Sequence, residues 1–413
     1  MKRQMDLILN YSFLRRGIKV KRFMGMAKDK VLPYGYQDID QDDIDIVSDA
    51  LTGEFLTTGP LVENFETALK NLTDAKYAVT CSSGTAALHL ACMALGIKKG
   101  DWVIVPSITF LATANAVRYC QADVLFCDVD PNTGLITPET LRNAILDARE
   151  RGLKIKAVIV VHLTGRHVDL KEIKEITHIN KLELIADSCH AIGGAYDNMP
   201  IGKSYYEQIN TFSFHPVKAF TTGEGGAITT NNQKLASAIR QMRSHNMIKD
   251  GSNENKWQYV MNDIGYNYRL SDIQCALGIS QLKKLKGFKQ KRSRLVKFYN
   301  SKLQKFFPKI TTPDRYGPKI FESVNWHLYS ILIDFKALKI SRGKFMENLR
   351  QKKINTQVHY IPVHTQPYYT KLYGSLNIPG SIEYFERTLS LPLFTKMHKD
   401  DIEFVVKALE ELV

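Results

Sequence analysis

Three short stretches of this 413-residue chain carry residue types that do chemistry together. Leu182–Asp187 is an apolar run closed by an acid and followed by Ser188-Cys189-His190. Ligands of open α/β sheets gather at the carboxyl ends of strands. An acid placed there could hold the proton of a pyridinium nitrogen and keep the ring an electron sink. Thr211–Lys218 leaves the next apolar run and enters a glycine-rich turn, Thr222-Gly223-Glu224-Gly225-Gly226. A lysine in that place could form a Schiff base with an aldehyde cofactor. Ser82-Ser83-Gly84-Thr85-Ala86 joins a strand to a helix start, where unpaired N–H groups and the helix dipole suit a phosphate. Each stretch alone has an ordinary reading: a helix cap, a solvated charge, a plain helix start. Together, an anion site, an acid and then a lysine point to one cofactor, pyridoxal 5'-phosphate.

The elements that must position these residues alternate. Helical patterns over Leu61–Leu72, Gly84–Leu95, Leu111–Tyr119, Thr137–Glu150, Leu170–Thr177 and Lys234–Ser244 separate short apolar strands. The strands are Tyr77–Cys81, Trp102–Pro106, Val124–Val129, Ile155–Leu163, Leu182–Asp187, Ile209–His215 and Gly226–Thr230. Continuous apolar strands between helices predict an α/β fold with a mostly parallel sheet covered on both faces. Ser271–Leu303 reads as a long helix kinked or broken at Gly287. Beyond it, strands over Trp326–Phe335 and Asn355–Tyr360 and helices near Ser341–Gln351, Ile382–Leu389 and Asp400–Leu412 predict a smaller α+β domain. The expected organisation is a basic extension over 1–30, a large cofactor domain over 31–285 and a small C-terminal domain over 286–413.

Composition sets the outer bounds. The chain is 44% hydrophobic and 24% charged, ordinary for a globular protein. No apolar run approaches the roughly 20 residues that span a bilayer. Its six cysteines show neither a C-x-x-C pair nor metal-ligand spacing, so no metal is expected, and they suit a reduced, cytoplasmic setting. The net charge of +14 is uneven. Residues 1–30 hold nine Lys/Arg against two acids, without a signal-peptide cleavage pattern. Lys283–Lys309 holds eleven Lys/Arg and no acid, which reads as a solvated helix face. No helix-turn-helix, zinc-finger or RRM pattern accompanies the charge, so neither nucleic acid nor membrane is expected as a partner.

The run Ser213-Phe214-His215-Pro216-Val217-Lys218 with Thr221-Thr222-Gly223-Glu224-Gly225-Gly226 closely resembles the DegT/DnrJ/EryC1/StrS sugar aminotransferases, which have the fold type I (aspartate-aminotransferase-like) architecture. Pro33-Tyr34-Gly35, Leu56-Thr57-Thr58-Gly59-Pro60, Ser83-Gly84-Thr85-Ala86, Asp187-Ser188-Cys189-His190 and Gly265-Tyr266-Asn267-Tyr268-Arg269-Leu270-Ser271-Asp272 extend the likeness over most of the chain. The resemblance implies roles. Lys218 is the Schiff-base lysine, Asp187 the partner of the pyridine nitrogen, and His190 a contact of the ring or its 3′ oxygen. Gly84, Thr85, Ala86 and Ser213 hold the phosphate, and Phe110 stacks on the ring. Asn267 and Arg269 reach the phosphate of a neighbouring subunit, which implies a homodimer with composite active sites. Thr58, His359 and Tyr360 lie on the sugar side. His162 and His245 carry no such role.

The implied activity is transfer of an amino group from glutamate, through pyridoxamine phosphate, to a nucleotide-linked keto sugar. The Pro33-Tyr34-Gly35 opening, His190 and the Phe214–Lys218 run most resemble the branch that aminates C4 of a UDP-linked 4-keto-6-deoxy-N-acetylhexosamine in pseudaminic acid biosynthesis. Amination of a dTDP- or GDP-linked sugar, or at C3, is the alternative, and a non-catalytic regulatory member is the rival of another class. A dehydratase is disfavoured, because those relatives carry histidine in place of the lysine. Arg166 departs from the family pattern and is expected as a charge near the cleft. Residues 1–30 have no counterpart in the family.

Overall fold

The computed structural model describes residues 31–249, 257–316 and 323–413, so the expected basic extension lies outside the described residues. The seven strands of the main sheet are β1 (Tyr77–Cys81), β2 (Trp102–Pro106), β3 (Asp123–Cys127), β4 (Ile155–Val161), β5 (Glu183–Asp187), β8 (Ile209–Ser213) and β9 (Gly226–Thr230). A two-stranded ribbon, β6 (Ala195–Tyr196) and β7 (Met199–Pro200), lies between β5 and β8 in the chain. The order across the main sheet is β1-β9-β8-β5-β4-β2-β3. Only β9 runs against its neighbours β1 and β8; the other pairings are parallel.

The strands are apolar throughout because both sheet faces are covered. Val103, Ile159 and Ile185 pack into one core with α3 (Gly84–Ala94) and α4 (Leu111–Tyr119). Their neighbours Ile104, Val158 and Leu184 pack into another with α5 (Pro138–Glu150) and α6 (Leu170–Ile179). Alternate side chains thus enter opposite layers, as the pleat requires. Short polar caps place the helices: Ser83 Oγ accepts from the Ala86 N–H, and Thr137 with Thr140 closes a capping box at α5.

The long helix α8 (Asp272–Leu303), which follows α7 (Gln233–Met242) in the chain, differs from expectation, because it runs its 32 residues without a break at Gly287. Packing against α1 (Gln41–Thr52) and α2 (Pro60–Thr73) outweighs the weak helix propensity of one exposed glycine. Asp272, fully buried, also ties α8 to α2, its carboxylate accepting from the Gly59 and Leu61 N–H groups at 2.8 and 3.0 Å. The basic run is not simply solvated. Lys284 pairs with Asp40 and Lys302 with Glu403, Lys289 donates to the carbonyls of Gly193 and Ser323, and Arg292 is buried.

The C-terminal half of α8 (Leu295, Val296, Tyr299, Leu303) joins a further core with Leu32, Tyr329, Ile331, Phe345, Leu391 and Val405. A three-stranded sheet, Ile310–Thr311, Tyr329–Ile333 and Thr388–Leu391, runs through it. The strand expected over Asn355–Tyr360 does not form. Ile354 makes a single bridge to Leu32 and Gln357 another to Ser390, and the chain then turns toward the main sheet. The strand expected from Trp326 starts only at Tyr329, because His327 and Leu328 donate their N–H groups to the carbonyl of Thr164 instead.

Gly287 is exposed, and a Cβ built on it meets nothing within 4 Å. Gly287→Ala should therefore stabilise the protein by about 0.5–1 kcal/mol, seen as a higher denaturant midpoint with an unchanged slope.

Candidate active site

A cavity of about 570 Å³ opens at the carboxyl ends of the parallel strands. Its walls come from the turn after β1 (Ser83, Gly84, Thr85), the start of α4 (Thr109, Phe110), the end of β5 (Asp187, Cys189, His190), the end of β8 (Ser213) and the loop beyond it (Lys218, Glu224). The C-terminal half of the chain closes it with His327, His359 and Tyr360.

Lys218 sits on the loop that links β8 to β9. Its N–H donates to the His215 carbonyl at 2.8 Å, and the loop is pinned back where Thr222 N–H and Thr221 Oγ1 donate to the Phe214 carbonyl. Burial lowers the Lys218 amine below the ordinary lysine range, and the nearby Cys189 and Asp187 oppose that only in part. Asp187 is buried at the end of β5, its carboxylate accepting from Thr113 Oγ1 at 2.9 Å and from the Cys189 N–H at 3.2 Å. These bonds orient it as a fixed acceptor.

The anion side depends on a close approach of backbone. A Cβ on Gly84 would stand 2.8 Å from Ser213 Cβ, and one on Gly226 would stand 2.4 Å from the Ser83 carbonyl oxygen. Only hydrogen fits at either place, so the start of α3 is pressed against the ends of β8 and β9. The first N–H groups of a helix lack intrahelical acceptors, and Gly84 and Thr85, at the start of α3, line the cavity with Ser213. Phe110 is 56% exposed, its ring 6.0 Å from that of Tyr360. A buried amine, a fixed carboxylate, an anion-binding helix start and an open aromatic face are the donor set that pyridoxal phosphate requires.

The structure thus brings together Gly84, Thr85, Phe110, Asp187, His190, Ser213, Lys218, His359 and Tyr360. Ala86 does not line the cavity: its N–H is already held by Ser83 Oγ at 3.1 Å and its side chain is in the core. Thr58 does not line it either, because it turns with φ +57° beside the Thr57–Ser271 bridge. It lies in a separate depression with Arg269, Arg240, Arg243 and Glu66. Asn267, bridged to Ser244, and Arg269 are likewise outside the cavity of their own chain. Arg166, expected as a cleft charge, is buried beneath the wall and donates to the Thr133 carbonyl. His162 is buried in the interior.

Sequence reasoning missed Thr113, Tyr34, Glu224 and His327. Thr113 had a signal in Thr109, four residues before it at the turn into α4; their hydroxyls meet at 2.7 Å. His327 had none; it falls in an apolar run and reaches the site only because that run is pinned to Thr164, its ring 4.4 Å from that of His190.

His190, His327 and His359 are all held below the ordinary histidine range, by burial first, with the charge of Lys218 adding to it; His359 is pushed down to about 3. In the unfolded chain they titrate near pH 6.5, so below that pH the unfolded state binds more protons. The contribution of these three histidines should be flat above about pH 6.5 and fall as pH drops below it, by up to ~1.4 kcal/mol per pH unit for each histidine. Urea midpoints of the cofactor-free protein between pH 5 and 8 check this, and His359→Gln should make the decline shallower.

The model of the DegT/DnrJ/EryC1/StrS aminotransferase family matches residues 37–410. The chain is 37% identical over 377 residues to a Campylobacter jejuni protein named UDP-4-amino-4,6-dideoxy-N-acetyl-beta-L-altrosamine transaminase, covering 91% of this chain and 96% of that one. Its fold is similar to that of Helicobacter pylori PseC, an aminotransferase involved in the biosynthesis of pseudoaminic acid, with a TM-score of 0.84, 27% identity and coverage of 93% of this chain and 99% of that one. A Streptococcus pneumoniae chain solved in its PLP form has a TM-score of 0.83 at 26% identity, covering 93% of this chain and 100% of that one. The fold expected from the sequence, that of pyridoxal-phosphate-dependent aminotransferases, is the fold observed. With the lysine, the carboxylate and the anion-binding turn in one cavity, the chain belongs to the DegT/DnrJ/EryC1/StrS aminotransferase family of pyridoxal-phosphate enzymes.

Proposed function

We propose that this aminotransferase moves an amino group from glutamate to C4 of a nucleotide-linked 4-keto-6-deoxy sugar, with a UDP-linked N-acetylhexosamine as acceptor. The observation that carries the reaction type is Lys218, a buried amine facing the same cavity as Asp187 and the start of α3. The acceptor rests on likeness: the name of the Campylobacter relative and the pathway of the Helicobacter aminotransferase both point to such a sugar.

Pyridoxal phosphate supplies, when bound, an aldehyde that takes up amines and a ring that withdraws electrons from the amine-bearing carbon. The chain's residues do the rest. Lys218 Nζ, lowered below the ordinary lysine range by burial, is the group placed to take a proton and return it, as a general base and acid must. Asp187, oriented by Thr113 and the Cys189 N–H, holds a pyridinium proton. Gly84, Thr85 and Ser213 hold the phosphate, and Phe110 covers the ring. His359, whose Nδ1 meets Ser390 Oγ at 2.8 Å, and Tyr360 present polar groups to the sugar. The working form is a cytoplasmic homodimer, in which Asn267 and Arg269 complete the phosphate site of the other subunit. That assignment accounts for their lying outside the cavity of their own chain.

Borohydride treatment of the purified enzyme should fix the cofactor to Lys218, as read by peptide mapping; label on another lysine would refute the assignment. With glutamate and a panel of keto sugars, kcat/KM for the UDP-linked 4-keto-6-deoxy-N-acetylhexosamine should exceed that for dTDP-4-keto-6-deoxyglucose and for a 3-keto sugar by at least about tenfold, some 1.4 kcal/mol of transition-state binding. A preference for either rival would move the enzyme to another branch of the family. Mixing inactive Lys218→Ala and Asn267→Ala subunits should restore activity to about a quarter of the wild-type level, because half the dimers are hybrid and each hybrid holds one intact site. No recovery after demonstrated subunit exchange would mean that each site is built from one chain.

A further inference from the structure

Arg166 has no task in the proposed reaction, and a buried arginine is costly as mere filler. It is 7% exposed, with Nη2 donating to the Thr133 carbonyl at 2.6 Å and Nε donating to Thr164 Oγ1 at 3.2 Å. Thr164 lies in the left-handed region at φ +63°, which is strained for a β-branched residue and persists only where surroundings impose it. Gly165 follows at φ +100°, where a Cβ would strike the Asn325 carbonyl oxygen at 2.3 Å. The Thr164 carbonyl accepts from the His327 N–H at 3.0 Å, and its N–H donates to His190 Nδ1 at 3.2 Å. Arg166 thus braces a strained turn from behind, and the turn grips two cavity histidines.

The grip has a direction. A neutral imidazole that accepts at Nδ1 carries its proton on Nε2. Burial above all keeps His190 from gaining a second proton. His190 Nε2 lies 3.2 Å from Tyr360 Oη, so the Nε2–H donates and the tyrosine oxygen accepts. The phenol stays protonated, raised above the usual tyrosine range by burial with the Asp187 charge adding to it. Its own proton then has to point to another acceptor, and Tyr360 lines the cavity beside Phe110. We propose that Arg166 is a positioning residue which, through Thr164 and His190, fixes Tyr360 as a hydrogen-bond donor to an oxygen that bears or develops negative charge in the cavity. The inference rests on the cavity holding a cofactor and a keto sugar. Its oxygen is either the ring oxygen of the cofactor or the carbonyl oxygen of the sugar.

The tautomer is read without turnover. In the full-length protein with 15N-labelled histidine, with and without pyridoxal phosphate, long-range N–H correlations should show His190 as the neutral Nε2–H form. The Nδ1–H form or an imidazolium in wild type overturns the proposal, whether or not the enzyme transaminates anything. Conversely, an inactive wild type with the Nε2–H form refutes the proposed function and leaves the hydrogen-bond order standing. In kinetics, Tyr360→Phe should slow the reaction at least about tenfold, and Arg166→Met should do so to a similar or smaller extent. The double variant should be no slower than Tyr360→Phe alone, whereas a merely structural Arg166 would add its loss to that of the tyrosine. Additive losses, or full activity in Tyr360→Phe, overturn the proposal. Should Arg166→Met fail to fold, Arg166→Lys, which keeps the charge but not the forked geometry, takes its place in the cycle. The oxygen is assigned by half-reactions. A loss in the glutamate half with weaker cofactor binding identifies the ring oxygen, and a loss confined to the sugar half identifies the carbonyl.

Discussion

Burial of the Lys218 amine beside the Asp187 carboxylate is the constraint on which the site depends. Charge is costly to remove from water, and the cost falls on the protonation state that bears it. For Lys218 this favours the neutral amine, the form that attacks a carbonyl and takes up a proton. The same dry surroundings keep the three cavity imidazoles uncharged, so they serve as hydrogen-bonding groups of fixed polarity rather than as rival bases. Asp187 accepts from the Thr113 hydroxyl and the Cys189 N–H, the hydrogen-bond donors that a buried carboxyl group needs. One cavity therefore holds a lone base, a fixed carboxylate and a set of neutral polar groups.

Backbone packing makes that cavity. The turn into α3 can lie against the ends of β8 and β9 only because Gly84 and Gly226 have no side chains to separate them. The antiparallel return of β9 is part of the same device. It brings the chain back beside β8, so that the Lys218 loop spans a hairpin anchored at both ends rather than a free crossover. Arg292 adds a hold from the far side, its guanidinium reaching the Lys218 carbonyl at 3.4 Å. The C-terminal half supplies the opposite wall. Its segments carrying His327, His359 and Tyr360 leave regular strand geometry, and their backbone groups bond instead to the Thr164 turn and to Leu32 and Ser390. Residues that would have extended a sheet are thereby delivered to the cleft.

The basic helix shows how the setting decides what a charge does. A run of lysines and arginines without acids reads as one exposed stripe, yet α8 is packed on several sides along its length. Lys284 and Lys302 meet acids from other parts of the chain, and Lys289 meets backbone carbonyls. Exposed pairs of this kind contribute only modestly to stability. They nevertheless show that part of the run is engaged within the chain rather than presented to an anionic partner.

Local signals were enough for the large sheet and for the centre of the site. Apolar runs between amphipathic helices dictate covered parallel strands. The acid of Leu182–Asp187, the lysine after Ser213 and the Ser83–Thr85 turn stand at strand ends, where any doubly wound sheet gathers its ligands. Those residues are legible because each is placed by the element next to it in the chain. Tertiary contacts decided the rest. Gly287 stays helical because neighbouring helices hold it, and Ala86 stands outside the cavity lining, its N–H held by a serine three residues earlier. Arg166 is a buried brace rather than a cleft charge because its acceptors, Thr133 and Thr164, come together only in the fold. His327 enters the site through a hydrogen bond to a turn far away in sequence. Periodicity reports which face of an element is buried, whereas the identity of the neighbour that buries it is a property of the whole chain.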